Sequence, residues 1–485
     1  MTIRRRGTTL SITTIFGLLA LFGFATASAW YPPEVPVPQD EREFTVDETL
    51  LPFEALPGAP AQQLWGVRKG AGYRIEVPEG WDGGDLMMYA HGFRGNIPEL
   101  TVDSPPEAMR RWLLANGIAW AASSYSRNYY DVRSGVESTN DLARFFKRKV
   151  GRPDRTFITG FSMGGHVTGA AIEMYPNVNC PDGRRGRFCR RIVRVLGKLS
   201  GGIRYSGAAP FCGVMGDTEL LNYFGDVNRG AEALAGVQLP AFPPPEDYFT
   251  TIFPQVLLGF ANPEVAARHV ALTQMLSGGP RPGFAASYAF WQEFLFGFAG
   301  GDSTFDGIIS GELYDNIGRV YQLDPDPALT DVEQALNDQV FRTAADPGVN
   351  PRRFLKLQRI PEISGRLTQP VVSTHTFGDL FVPFSMEQIY AREAQQKHRD
   401  HLLVSRATRA VGHCEFSGSE LVAGVADMIQ WATDGQRPGG DDILDVEALA
   451  APDAGCAHSI TDRPFGPEGP AFPASRAAYG ACPGD

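Results

Sequence analysis

Short apolar segments alternate with amphipathic ones in the first half of the chain. The apolar segments are rich in small or β-branched residues, which predicts buried strands, and 107–116 and 136–150 have the periodicity of helices that bury one side. Strands that alternate with helices form a parallel sheet covered on both faces, so this part has an α/β pattern. The predicted strands are 64–77, 86–90, 118–124, 155–159 and 205–211.

The alternation stops near residue 213 and resumes at 364. The resumed part has strand patterns at 369–375 and 402–405, each followed by a helical pattern, at 385–397 and 419–433. We therefore expect one core made of 61–213 and 364–433, with a mostly parallel central sheet flanked by helices.

Residues 214–363 are predicted to form a large, mainly helical cap. They contain helical stretches at 263–275 and 330–344 and many aromatic residues, among them Trp291 and Phe294. An insertion of this size between sheet strands is expected to lie over the site at the strand ends. Its aromatic side chains either line an acyl or aryl pocket or form the core of the cap, and we expect the second for most of them.

The two ends of the chain have different compositions. Residues 1–29 combine a basic start, an apolar stretch and the small residues Ala27-Ser28-Ala29, which predicts an export signal cleaved before Trp30; an uncleaved membrane anchor is the alternative. Residues 30–60 form an extended leader rich in Pro and Glu, and 434–485 a loop-rich tail. We expect a periplasmic or extracellular protein with no stable membrane insertion after signal cleavage.

The net charge of −11 argues against a nucleic-acid partner, because such proteins carry a basic face. Export makes the six cysteines potential disulfides. Proximity in the sequence suggests Cys180 with Cys189 and Cys456 with Cys482, which would leave Cys212 for Cys414, although other connectivities are possible. A zinc site is not expected, because the chain has no Cys-x-x-Cys pair.

Segment 155–166 contains the motif Gly160-Phe161-Ser162-Met163-Gly164 between a strand and a helix pattern. In such a turn the serine is raised above the sheet edge, and the helix that follows points backbone N–H groups at developing negative charge. Ser162 is therefore a candidate nucleophile. The alternative is a glycine-rich turn that only joins a strand to a helix.

Asp379 and His413 each follow a later predicted strand, so the order along the chain is Ser, Asp, His. The carboxyl ends of parallel strands meet at one sheet edge, where His413 could take the proton of Ser162 and Asp379 could hold the imidazole. The strand at 86–90 ends in His91-Gly92-Phe93, and the backbone N–H groups of Phe93 and Met163 are candidate oxyanion donors. Competing candidates are Asp217 and Asp226 for the acid, and His166, His375, His398 and His401 for the base.

Together, His91-Gly92-Phe93, the Gly160–Gly164 motif, Gly378-Asp379 and Gly412-His413 resemble the α/β-hydrolase superfamily of serine hydrolases, over roughly 64–213 and 364–433. The resemblance implies the α/β-hydrolase fold, the roles given above for Ser162, Asp379 and His413, and no metal or organic cofactor. Secreted tannase and feruloyl-esterase types have cysteines next to both the serine and the histidine. This chain has Cys414 after His413 but Phe161 before Ser162, so that bridge is absent.

These observations predict an exported serine hydrolase that cleaves a small-molecule or polymeric carboxylic ester through an acyl-enzyme. Three alternatives stay open: a peptidase or amidase on the same fold, an acyltransferase, and a binding protein without turnover. The triad alone does not distinguish ester from amide leaving groups.

Overall fold

The computed structural model describes residues 36–174, 202–237, 248–297, 307–351, 357–460, 476–479 and 482. The predicted signal segment and the proposed Cys180–Cys189 pair lie outside the described residues. No helix within the described ranges is both long enough and apolar enough to cross a membrane.

The core is one eight-stranded sheet. Its strands lie in the order β1-β2-β4-β3-β5-β6-β7-β8. The pairs β1–β2 and β2–β4 are antiparallel, and the six strands β3 to β8 are parallel to one another. This confirms the predicted α/β fold with a mostly parallel sheet. The strands are β1 Ala61–Arg68, β2 Ala71–Pro78, β3 Leu86–Ala90, β4 Ala119–Ser123, β5 Thr156–Phe161, β6 Gly207–Phe211, β7 Val371–Thr376 and β8 Leu403–Thr408.

The strand-like segment 64–77 is a hairpin and not one strand. Lys69 and Gly70 form its two-residue turn, both with positive φ (50° and 78°). Two-residue hairpin turns need this left-handed conformation because its twist matches that of the flanking strands. The resulting hairpin adds the antiparallel edge to the sheet.

Helices cover both faces of the sheet, as the alternating pattern predicts. Val136 and Ala170 belong to the buried cluster on one face, and Met109 and Val425 to the cluster on the other. The helices are α1 Pro38–Glu41, α2 Glu107–Ala115, α3 Val132–Lys149, α4 Met163–Glu173, α5 Glu219–Leu234, α6 Phe253–Gly259, α7 Pro263–Leu276, α8 Phe284–Gly297, α9 Asp331–Gln339, α10 Ser385–Gln396, α11 Gly418–Asp434 and α12 Val446–Ala450.

Helices α5 to α9 lie between β6 and β7, in the part of the chain predicted to form the cap. Its aromatic residues divide into two groups. The rings of Phe260 and Phe296 pack against His269 and belong to the interior of this part. Trp291 and Phe294 instead contact Phe381, which follows β7.

The segment 36–60 is packed against the sheet although it has little regular structure. Leu51 and Leu56 are buried, and the Arg74 guanidinium of β2 donates to the carbonyls of Leu50 and Leu51 at 2.8 and 2.9 Å. The described part of the predicted leader therefore contributes to the core.

Candidate active site

Ser162 stands at the sharp turn between β5 and α4. Its backbone has φ 57° and ψ −123°, a conformation that costs a non-glycine residue about 1–3 kcal/mol. The turn is possible because its neighbours lack side chains: a Cβ on Gly160 would lie 2.2 Å from the carbonyl oxygen of Gly164, and one on Gly164 would lie 2.1 Å from that of Ala90. The strand, turn and helix predicted from the motif are all present.

Asp379 follows β7 and is fully buried. Its Oδ1 accepts hydrogen bonds from the backbone N–H groups of Phe381 and Val382, at 2.9 and 3.0 Å. Its Oδ2 lies 2.5 Å from Nδ1 of His413. A carboxylate here accepts the proton on Nδ1, so the neutral imidazole keeps an unprotonated Nε2, the form that can act as a base.

The loop that carries His413 is held from several directions. Thr376 of β7 donates its hydroxyl to the Gly412 carbonyl at 3.0 Å, and the Trp291 indole donates to the Val411 carbonyl at 2.8 Å. The Phe381 ring meets the imidazole edge to face, with centroids 4.9 Å apart. These contacts restrict the position of the loop and of the imidazole, and one of them comes from α8.

A disulfide joins Cys212, at the end of β6, to Cys414, the residue after His413. This pairing and Cys456–Cys482 are the ones suggested by the sequence. The strand that bears Cys212 also fixes the serine, because the Ser162 N–H donates to the Phe211 carbonyl at 3.1 Å. The disulfide therefore links the base loop to the strand beside the nucleophile.

Within the described residues, the Ser162 hydroxyl makes no hydrogen bond to His413. Nε2 of His413 lies 3.4 Å from Sγ of Cys414 instead. Hydrogen bonds between a nucleophile and its base are often long before substrate binds and shorten in the complex. The sulfur atoms of Cys212 and Cys414 and a His413 nitrogen also lie within 4.8 Å of one another, but metals bind thiolates and these cysteines are joined in a disulfide.

The turn after β3 lies beside the serine. A Cβ on Gly92 would be 3.4 Å from the Cβ of Ser162 and 3.9 Å from its Oγ. The N–H of Phe93 follows in this turn, and that of Met163 is the first of α4, where helical N–H groups lack intrahelical partners. Among the described residues, neither N–H donates to a protein acceptor.

His91 has a structural place in this turn. Its ring stacks on Tyr125 with centroids 4.0 Å apart, and its carbonyl accepts from the Tyr125 hydroxyl at 2.9 Å. Burial, together with the charge of Arg94, lowers the pKa of His91 to about 4. The ring therefore stays neutral at physiological pH.

Asp217 and Asp226, the competing candidates for the acid, form hydrogen bonds with other residues. Asp217 accepts from the Ile363 N–H at 2.9 Å, and burial raises its pKa to about 8. Asp226 accepts from the hydroxyls of Tyr314 and Tyr321 at 3.0 and 2.8 Å, and burial raises its pKa to about 6. Within the described residues, neither carboxylate bonds to a histidine.

The competing histidines are also unsuited to act on Ser162. His166 is held by hydrogen bonds to other residues, and His398 and His401 lie away from the turn that carries Ser162. His166 lies between the Pro361 carbonyl, 2.7 Å from Nε2, and the Tyr130 hydroxyl, 3.1 Å from Nδ1, and burial lowers its pKa to about 4. His398 and His401 lie between α10 and β8, at the start of that strand, whereas His413 follows its end.

His375 contacts Glu387, and nothing in the sequence indicated this contact. It lies buried in β7, with Nε2 2.7 Å from the Val382 carbonyl and 3.7 Å from Oδ2 of Asp379, and Nδ1 3.3 Å from Oε1 of Glu387. Burial by itself lowers the pKa of His375, but the hydrogen bond and charge of Glu387 and the charge of Asp379 outweigh it and raise the pKa. Glu387 stands in the first turn of α10, where an acidic residue is common for helix-dipole reasons, so its inward contact carried no distinct sequence signal.

No protein-family model matches the chain. It is similar to the o-phthalyl amidase of Xanthobacter agilis, with 23% identity over 431 residues that cover 78% of this chain and 88% of that protein. It is also similar to the crystal structure of feruloyl esterase B from Aspergillus oryzae, at 10% identity and a TM-score of 0.40, over 83% of this chain and 86% of that one. For brefeldin A esterase, a bacterial homologue of human hormone-sensitive lipase, the identity is 12% and the TM-score 0.36, over 87% and 86%.

The strand order and the position of the elbow decide the fold. The antiparallel hairpin precedes six parallel strands, and the strand–turn–helix unit with Ser162 lies on β5, near the middle of the sheet. Asp379 and His413 follow β7 and β8, as the order Ser, Asp, His requires in this architecture. The chain has the α/β-hydrolase fold.

Proposed function

We propose that this chain is a serine hydrolase that cleaves carboxylic esters through an acyl-enzyme formed on Ser162. The observation that carries the proposal is the Asp379–His413 hydrogen bond, 2.5 Å long, on loops at the sheet edge where the Ser162 elbow stands. A hydroxyl becomes nucleophilic at neutral pH when a serine on an elbow is combined with an acid and an imidazole whose Nε2 is unprotonated.

In the proposed reaction, Oγ of Ser162 attacks the ester carbonyl carbon while its proton passes to Nε2 of His413. The oxyanion accepts hydrogen bonds from the N–H groups of Phe93 and Met163, each of which we expect to lower the barrier by about 3 kcal/mol. Asp379 stabilises the imidazolium that forms. His413 then gives its proton to the leaving alkoxide, and the tetrahedral intermediate collapses to the acyl-enzyme and an alcohol.

Deacylation repeats these steps with water. His413 takes a proton from the water molecule as it attacks the acyl carbonyl, and returns that proton to Oγ of Ser162 as the carboxylic acid leaves. No other group has to exchange a proton with the substrate. The residues that carry out the chemistry are therefore the same three in both halves of the reaction.

Amide hydrolysis is a second candidate, because the relative that is 23% identical over most of both chains is named as an o-phthalyl amidase. The same residues would act, with His413 protonating an amine leaving group. The Phe381 ring contacts His413, and the rings of Trp291 and Phe294 pack against Phe381. Together they offer apolar surface to an aromatic group of either substrate type.

A fluorophosphonate probe is expected to label the folded protein at Ser162 and at no other serine, because only an activated hydroxyl displaces the fluoride. Peptide mapping by mass spectrometry identifies the labelled residue. Folded protein that takes up no label would contradict the proposal and favour a binding protein without turnover.

A panel of p-nitrophenyl esters of graded chain length, run beside aminoacyl anilides, separates the two candidate reactions. We expect the esters to have the higher kcat/KM. Anilides that turn over faster than every ester would assign the chain to the amidases, and acyl transfer to an added alcohol with little free acid would assign it to the acyltransferases.

We also propose that the chain is exported and that 1–29 are removed. The disulfides Cys212–Cys414 and Cys456–Cys482 support this, because such bonds persist in oxidising compartments. Protein isolated from the exported fraction is expected to begin at Trp30 and to yield a peptide that contains the Cys212–Cys414 bond. A free Cys414 thiol in that fraction would contradict the expectation.

A further inference from the structure

The C-terminal tail contacts the loop that carries His413 at both of its ends. Before the histidine, the Arg409 N–H donates to the hydroxyl of Ser459, and the Arg409 guanidinium donates to the Ala454 carbonyl, both at 2.8 Å. After the histidine, the Ser417 hydroxyl donates to the Ile460 carbonyl at 2.8 Å. The first part of the tail therefore fixes the points at which the loop leaves β8 and enters α11.

Arg476 fixes the loop just after the histidine. Arg476 as a residue is 8% exposed. Its guanidinium makes two hydrogen bonds of 2.7 Å to the carboxylate of Glu420 and a third, also 2.7 Å, to the Glu415 carbonyl. Glu420 also accepts from the N–H of Ser417, the N-cap of α11, at 2.7 Å. A planar guanidinium that bridges a carboxylate and a carbonyl in this way restricts the direction of both.

Tyr479 fixes the loop just before the histidine. Its hydroxyl donates to the Ala410 carbonyl at 3.2 Å, and burial raises its pKa to about 12, so it remains a donor at physiological pH. Its ring lies directly over Gly283, where a Cβ would be 2.5 Å from the ring. The Cys456–Cys482 disulfide ties this end of the tail to the part that contacts Arg409.

We propose that Arg476 and Tyr479 are positioning residues of the active site, which hold the loop 410–415 from its two sides and so keep His413 against Asp379. The proposal rests on the proposed function, in which His413 is the base. A catalytic group that is displaced by about 1 Å can cost about 10²-fold in rate, so a loop that carries a base benefits from contacts on both sides. The contribution of the tail is then to the rate of the chemical step and not to substrate binding.

The test compares Arg476→Gln with a matched control, Arg406→Gln. Arg406 is also buried and also bridges a backbone carbonyl, that of Gly439 at 3.0 Å, to a carboxylate on α11, that of Asp427 at 2.5 Å, but it does not touch 410–415. The measurements are kcat and KM on the best p-nitrophenyl ester, the rate of fluorophosphonate labelling, and amide hydrogen exchange of the peptide that contains 410–417.

For Arg476→Gln we expect kcat and the labelling rate to fall together by about 10- to 100-fold, with KM changed by less than about two-fold and faster exchange in 410–417. Arg476→Lys, which keeps the charge, should recover part of the rate. Arg406→Gln should leave all these quantities near their wild-type values, although it lowers the melting temperature.

Two results would overturn the proposal: wild-type kcat and labelling in Arg476→Gln, or equal losses in Arg476→Gln and Arg406→Gln, which would indicate general destabilisation. If Arg476→Gln does not fold, Tyr479→Phe takes its place, because it removes one hydroxyl and no charge. The same quantities are measured, and kcat and the labelling rate are expected to fall several-fold. A His413→Ala variant, measured in parallel, separates the two proposals. An active His413→Ala enzyme refutes the proposed function, whereas an inactive one beside a fully active Arg476→Gln enzyme refutes only the role of the tail.

Discussion

Replacing Ser162 with alanine is expected to lower kcat by about 10⁶-fold while the protein stays folded. The side chain stands at an elbow whose geometry depends on glycines 160 and 164 and not on its own hydroxyl, which makes no hydrogen bond within the described residues. Removing the hydroxyl therefore removes the proposed nucleophile and little else. The substitution also removes no contact between β5 and α4.

The measurement is the rate of p-nitrophenolate release, together with the melting temperature to show that the fold persists. Ser206→Ala serves as the control, because Ser206 precedes β6 at the opposite edge of the sheet. It should keep wild-type kcat. If Ser162→Ala retains its activity, the nucleophile is another group, and the assignments of Asp379 and His413 fall with it.

Asp379→Asn is expected to lower kcat by about 10⁴-fold. The N–H groups of Phe381 and Val382 both point at Oδ1, so the amide oxygen of an asparagine would take that place. Its NH₂ group would then face Nδ1 of His413, where Oδ2 now accepts. A donor there favours the tautomer with the proton on Nε2, and that form cannot accept the proton of Ser162.

Asp217→Asn is the matched control, since Asp217 is a partly buried acidic residue that also accepts from backbone N–H groups and was one of the two competing candidates for the acid. Its kcat should stay within about ten-fold of wild type, because Asp217 contacts no histidine among the described residues. A large loss in Asp217→Asn with little loss in Asp379→Asn would reverse the assignment of the acid.

The positions of the candidate residues in the fold could be predicted because each follows a strand pattern that can be recognised locally. Ser162, Asp379 and His413 come after β5, β7 and β8, and the parallel arrangement brings these strand ends to one edge. The glycines around Ser162 add a second local signal, since only a residue without a side chain fits there. Local pattern and global fold agree at this site.

Hydrogen bonds between distant parts of the chain were not predictable. Tyr479 reaches the Ala410 carbonyl, 69 residues earlier, and Trp291 reaches the Val411 carbonyl, 120 residues later. Neither residue stands in a motif, because a hydrogen bond to a carbonyl requires no particular neighbours in the sequence. The contact of Glu387 with His375 was hidden for a related reason: an acidic residue in the first turn of a helix has an ordinary explanation.

The hydrogen bond from the Ile363 N–H to Asp217 joins two residues 146 positions apart, one just after β6 and the other shortly before β7. The long connection between β6 and β7 thus begins and ends at two residues that contact each other. Exchanging it for a shorter or different one would keep the strand order and the Ser162 elbow, but it would remove the hydrogen bond that Trp291 donates to the Val411 carbonyl. A graft made at Asp217 and Ile363 would therefore need a side chain that replaces the Trp291 contact.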